Sequence, residues 1–268
     1  MAPVYPPDAK TGCTRPSCYG ARVDAPTIDA PRPDAATPDA PLTATWLGRI
    51  DYREAHALQK RLVEQRVADE IGDRLLLLEH PPVLTLGRSS DPAHIRATPA
   101  ELGARAIDVV EIERGGEVTY HGPGQLVAYP IVRLHERGLL LRPFVRALEA
   151  ALVATCAAHG VQAARRDGHP GCWCDPDGAE PRKIGALGLR IERGVSYHGI
   201  ALNISVDLSD FELIDPCGMP DVISTSIAHE RGDDDMLPST ASVEGAAWIF
   251  ADAFATAIDA PLDIAPVA

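Results

Sequence analysis

A chain of 268 residues, 46% of them hydrophobic, can bury a sizeable core as one large domain or two modest ones. The net charge of −13 argues against a nucleic-acid partner, and no stretch reaches the apolar length of a membrane span or secretory leader, so a cytoplasmic enzyme is expected. In that reducing compartment the six cysteines are expected as separate thiols.

Residues 1–41 are dominated by Ala, Pro and Asp, with a degenerate repeat DAPTIDAPRPDAATPDAP that offers little to bury, and are expected to form a disordered tail. Cys13 and Cys18 inside it lack the neighbouring ligands of a metal site. From TATWLGRI onward the pattern is that of a folded domain, expected to run from 42 to 268. Asp51 can cap a helix with Tyr52, Ala55, Leu58, Leu62 and Val63 on one stripe, followed by the strand RLLLLEH and, after two prolines, VLTLG. AIDVVEIER, QLVAYPIV, VQAARR, KIGALGLRI and VSYHGIALNIS read as further strands. Helices are expected at 143–159 and 242–258, the second with Val243, Ala247, Phe250, Phe254 and Ile258 on one face. Many strands with few helices between them indicate an α+β domain around a mixed sheet.

The densest chemical signal is RGGEVTYHGPGQL, residues 114–126, where four glycines crowd around Thr119, Tyr120 and His121. Main-chain N–H groups could approach a ligand closely there, with Arg114 and His121 as donors to a carbonyl or phosphate; a glycine-rich hairpin is the competing explanation. The segment fits neither the phosphate loop GxxxxGK[ST] nor the dinucleotide pattern GxGxxG. Lys183 begins the strand KIGALGLRI, a place where lysines are usually solvated. Cys217 lies between Pro216 and Gly218, which suggests a sharp turn at a strand end; whether it is a buried small hydrophobe, a redox thiol or a nucleophile stays open on these residues alone. In DGHPGCWC a strand would put Cys172 and Cys174 on one face and Trp173 on the other, so packing is favoured over a zinc site with His169. Cys156 follows Leu148 and Leu152 at helical spacing and is expected in the core.

EHPPVLTLGR, RGGEVTYHGPGQLVAYPI, KIGALGLRI and YHGIALNISVDLSDFELIDPCGM together resemble the successive signature blocks of the lipoyl(octanoyl) transferases, in order from about Trp46 to Ile227. The resemblance implies a fold like the lipoate and biotin protein ligases, a mixed sheet flanked by helices, without ATP chemistry. It implies transfer of an octanoyl group from octanoyl-acyl carrier protein to a lysine of the lipoyl domains of 2-oxoacid dehydrogenase complexes and of the glycine cleavage H protein. Cys217 would carry the thioester and Lys183 would be its partner. Arg114, Gly115, Gly116, Glu117, Val118, Thr119, Tyr120 and His121 would bind the acyl substrate, together with Ala186, Leu187 and Gly188 and with Gly199, Ile200 and Ala201. No cofactor, metal, nucleic acid or membrane is implied. The sequence departs from the family pattern at Cys172 and Cys174, where aliphatic residues are usual, and around 220–223. Acidic carriers would need a local basic rim, for which Arg88, Arg114, Arg142, Arg182 and Arg190 are candidates. The alternatives are an ATP-dependent lipoate ligase or related amidotransferase on the same fold, and a non-catalytic acyl-carrier or metal-binding module around His169, Cys172 and Cys174.

Overall fold

Successive residues of a strand face opposite sides of a sheet, and the run RLLLLE uses that rule to fill two layers at once. On β2 (Arg74–Glu79), Leu75 and Leu77 join the core beneath α3 (Leu141–Ala158) and α5 (Val243–Ala257). Leu76 and Leu78 pack on the other face beside Ala55 of α1 (Tyr52–Val67). The computed structural model describes residues 40–215, 222–232 and 242–266. All but the last two residues of the expected tail lie outside that set, as do Cys13, Cys18 and Cys217.

The large sheet runs in the order β12 (Leu262–Ile264), β1 (Leu42–Arg49), β2, β6 (Gln125–Ile131), β10 (Val195–Asn203), β9 (Arg182–Glu192), β8 (His169–Cys174) and β7 (Ala164–Arg166). β1 is parallel to both of its neighbours, whereas β6, β10, β9, β8 and β7 pair antiparallel in succession. A short β11 (Ile223–Ser224) adds to β9 in parallel beside Arg182 and Lys183. The architecture is therefore the expected α+β mixed sheet with helices on its faces. A second, three-stranded sheet places β3 (Val83–Leu86) between β4 (Asp108–Glu111) and β5 (Val118–His121).

That second sheet removes the hairpin alternative for residues 114–126. β5 pairs with β3 in the small sheet while β6 pairs with β2 and β10 in the large one, so the GPG turn carries the chain from one sheet to the other. Gly124 makes the transfer possible: its φ is +85°, and a Cβ there would meet the Ser205 main chain at 2.7 Å. The expected helices form. Asp51 caps α1 by accepting from the Arg53 and Glu54 N–H groups, and Phe250 and Phe254 bury the inner face of α5. The short α2 (Pro99–Ala104) was not anticipated; Thr98 and Glu101 close a capping box around its first turn. No helix of the described residues is long and apolar enough to cross a membrane.

One buried ionic cluster ties the end of α1 to the sheet. Asp73, 3% exposed, accepts from Arg66 Nε at 2.8 Å, Arg137 Nε at 2.7 Å and the Arg133 main-chain N–H at 3.1 Å. Removing the anion takes the carboxylate from the buried Arg137 guanidinium and leaves Arg66 with Asp69 and Glu136 alone, so Asp73→Ala should lower unfolding free energy by about 3 kcal/mol in denaturant titration. A loss below about 1 kcal/mol would show that the cluster is no structural tie.

Candidate active site

β10 is buried along its whole length, and its register with β9 sets small residues opposite one another, Gly188 against Gly199 and Ala186 against Ala201, on either side of the larger pair Leu187 and Ile200. Side chains this small leave a trough above the two strands. Its larger part holds about 490 Å³ of space between the atoms, counted out into the solvent at its open mouth. The walls come from the three expected segments: Arg114, Gly116, Glu117, Val118, Thr119 and His121 from the glycine-rich stretch, Ala186 to Gly188 from β9, and Gly199 to Ala201 from β10. Tyr52, Tyr129 and His198 complete them.

Two expected binding residues do not face this space. Gly115 instead donates its N–H to Leu189 O at 3.0 Å, pinning the loop to β9. Tyr120 points to the opposite side of β5, where its hydroxyl donates to Asp210 at 2.6 Å and its ring packs edge-on against Phe211. Period-two alternation on β5 makes that unavoidable once Thr119 and His121 face the trough.

Lys183 lines an adjoining recess with Gln125, Asn203 and Ser224, and that recess shares Thr119, Ala186 and Ala201 with the larger one. The trough therefore runs along β9 and β10 to Lys183. Far from being a solvated strand-start lysine, Lys183 is 8% exposed, with Nζ 5.1 Å from the centroid of the Trp173 ring, its register partner on β8. Cys217 lies outside the described residues. The chain resumes at Val222, and Ser224 takes up register beside Lys183, whose carbonyl accepts from the Thr225 N–H at 3.0 Å.

A chain of side-chain amides connects the two recesses. Gln125 donates to Tyr120 O and to Asn203 Oδ1, which fixes Gln125 Oε1 toward His121 Nδ1 at 2.7 Å. Asn203 in turn donates to Thr225 O at 2.8 Å. Because Gln125 Oε1 can only accept, His121 carries its proton on Nδ1. Burial and the neighbouring His80 hold His121 down to about 3, so the ring is neutral and Nε2 is an acceptor. The expected donor role of His121 is thus reversed. Arg114 is likewise committed, through Nε and Nη2 to Thr85 and through Nη1 to Gly115 O. Of the candidate basic rim, Arg114 is buried and Arg182 makes a two-pronged pair with Glu230 at 2.7 and 3.0 Å, leaving Arg88 and Arg142 exposed and Arg190 half-buried.

The remaining thiols pack as expected. Cys156, Cys172 and Cys174 are free and buried in the core under α3 and α5. Hydrogen bonding to Cys172 and burial push the Cys156 thiol up, and burial and Glu230 push Cys174 up to about 12. His169 lies edge-on to the Trp173 ring, so it gathers no zinc site with these thiols. Tyr52, Tyr129 and His198 were missed as wall residues because apolar periodicity reads tyrosines as core and gives histidine no direction.

The lipoyl protein ligase A/B catalytic domain family matches residues 51–242. The octanoyltransferase of Chloroflexus aggregans is 50% identical over 192 residues, 71% of this chain and 86% of that protein. The octanoyltransferase of Acidobacterium capsulatum is 46% identical over 231 residues, 82% and 94% of the two chains. Among solved structures, a bi-partite lipoate protein ligase from Thermoplasma acidophilum superposes with a TM-score of 0.61 at 12% identity, covering 86% of this chain and 88% of that one. LipL1 of P. falciparum in complex with lipoate gives 0.62 at 10% identity, covering 83% and 66%. These two share the fold.

Burial holds three imidazoles below the ordinary 6.5, His80 at about 4 and His121 and His198 at about 3. Between about pH 4 and 6.5 the unfolded chain therefore binds more protons than the folded one, and stability falls as pH is lowered through that window. Each group costs about 2 kcal/mol at pH 5. The thermal midpoint should drop clearly from pH 7.5 to pH 5; an equal or higher midpoint at pH 5 would contradict the neutral, buried rings.

Proposed function

Because this chain belongs to the lipoyl protein ligase A/B catalytic domain family and transfers octanoyl groups in protein lipoylation, we propose that it does so through a thioester on Cys217, with Lys183 as the thiol's electrostatic partner. The observation that carries this is the pair of adjoining recesses sharing Thr119, Ala186 and Ala201, the larger walled by residues of the three expected segments and the smaller by the buried Lys183. The donor is octanoyl-acyl carrier protein. The acceptors are lysines of lipoyl domains, those of 2-oxoacid dehydrogenase complexes and of the glycine cleavage H protein. Residues 42–268 form the catalytic domain, with residues 1–41 as a tail outside the chemistry.

Thioester exchange and aminolysis need no nucleotide, so the protein has to activate a thiol and hold two carrier-borne groups in place. An ammonium about 4 Å from a thiolate attracts it by about 4 kcal/mol at an effective dielectric near 20, before desolvation. The thiolate of Cys217 attacks the donor's thioester carbonyl, and the carrier's thiolate leaves with a proton from the Lys183 ammonium, so that the thioester forms beside a neutral amine. Once Cys217 is acylated, the Lys183 amine no longer faces a thiolate in its buried recess. It then accepts the proton that the attacking lysine amine sheds as Cys217 is expelled. With His121 an acceptor and Arg114 committed, the main-chain N–H groups at Cys217 and Gly218 are the donors proposed for the oxyanion. About seven apolar carbons of the acyl chain contribute roughly 5 kcal/mol of burial in the trough before entropy losses.

Incubated with octanoyl carrier protein and no acceptor, the enzyme should accumulate an octanoyl group on Cys217 that hydroxylamine removes and a lipoyl domain discharges. Cys217→Ala should abolish the adduct, and Lys183→Ala should slow both its formation and its discharge. Full activity in Cys217→Ala would refute the assignment. Ala186 lines both recesses, so Ala186→Leu should narrow the passage and shift preference from octanoyl to butanoyl donors by at least about tenfold, equivalent to 1.4 kcal/mol. An unchanged preference in a well-folded variant would place the acyl chain elsewhere.

A further inference from the structure

A second cluster of titratable side chains stands at the end of the trough away from Lys183. His56 on α1, Glu113 just before the glycine-rich loop and His198 on β10 bring one potential ligand atom each within 4.8 Å of one another. His56 Nε2 is 3.1 Å from Glu113 Oε1, and the His56 and His198 rings are 5.4 Å apart between centroids and 14° from parallel. His198 is 1% exposed, and neither of its ring nitrogens has a hydrogen-bond partner. Buried imidazole nitrogens are rarely left so. The main chain aims this ring: His198 has φ +54°, in the left-handed region, and its N–H is held by Gln59 Oε1 at 2.8 Å.

We propose that His56, Glu113 and His198 bind a divalent cation of the zinc class. Two imidazole nitrogens and one carboxylate suit zinc or cobalt, whereas magnesium and calcium prefer all-oxygen sites. Tetrahedral ligation at about 2.0–2.2 Å requires the three atoms, now within 4.8 Å of one another, to close to roughly 3.5 Å on binding. Burial keeps His198 neutral, with a lone pair available for a metal. Tyr197 Oη donates to Glu113 Oε1 at 2.9 Å and orients the carboxylate from outside the ligand set. Lys60 Nζ, 3.7 Å from the same oxygen, is the competing cation, and it has a closer partner in Glu192 at 2.9 Å. His198 lies five residues along β10 from Asn203 in the Lys183 recess, roughly 16 Å at strand spacing. A cation there stays clear of the reacting atoms and fixes the His198 ring that walls the trough.

Full-length protein stripped with chelator should be titrated with Co²⁺, followed by visible absorption, and with Zn²⁺ by equilibrium dialysis and elemental analysis. The wild type should take up one equivalent more than His56→Ala and one more than Glu113→Gln. The Co²⁺ complex should show tetrahedral visible bands, and the His56-dependent equivalent should add no near-ultraviolet thiolate band. Melting curves in chelator identify which variant is folded, and the comparison rests on that one. Equal uptake by the wild type and a folded variant, or a thiolate band that disappears with His56→Ala, would overturn the site.

Discussion

The trough exists because main chain meets main chain where no side chain fits. A Cβ on Gly199 would lie 2.0 Å from Ala128 O, and one on Gly87 would lie 2.3 Å from Gly116 O. A Cβ on Gly188 would lie 3.0 Å from Gly115 O. Approaches this short leave no room for a side chain: Gly199 sets how closely β10 lies on β6, Gly87 how closely the ends of β3 and β5 meet, and Gly188 how closely the loop before β5 settles on β9. Arg114 locks the same junction from the other side through Thr85, and the Gly115 N–H closes it on Leu189 O. The glycine-rich loop that walls part of the trough thus also ties the small sheet to β9.

Electrostatics inside that space follow from burial. His80, His121 and His198 are held neutral, and Arg114 spends its donors on oxygens of the fold. Lys183 enters its recess over the face of Trp173, whose ring stabilises an ammonium there. In a water-poor recess a charge placed this way acts over several ångströms. The buried thiols show the opposite setting: Cys156 and Cys174 are pushed up by their surroundings and kept inert in the core.

Much of this was legible in the chain. Strand alternation in RLLLLE, the Asp51 cap and the aromatic stripe of α5 follow from local periodicity and capping, which depend on residues within a turn or two of one another. The thiols of HPGCWC fell on the core face for the same reason. The three segments expected to bind the acyl group were identified through likeness to a family, and the structure brings residues of all three to one trough.

The sequence by itself determined the elements and the mixed sheet, because apolar period and capping are properties of neighbouring residues. Only the tertiary structure decided the rest. That β5 and β6 belong to different sheets, that Tyr120 turns away, that His121 accepts where it was expected to donate, and that Arg182 is neutralised by Glu230 all depend on partners far along the chain. A hydrogen-bond partner 78 residues away, as Asn203 is from Gln125, leaves no mark on local pattern. Protonation and direction at this site are set by such long-range contacts, and packing alone fixes them.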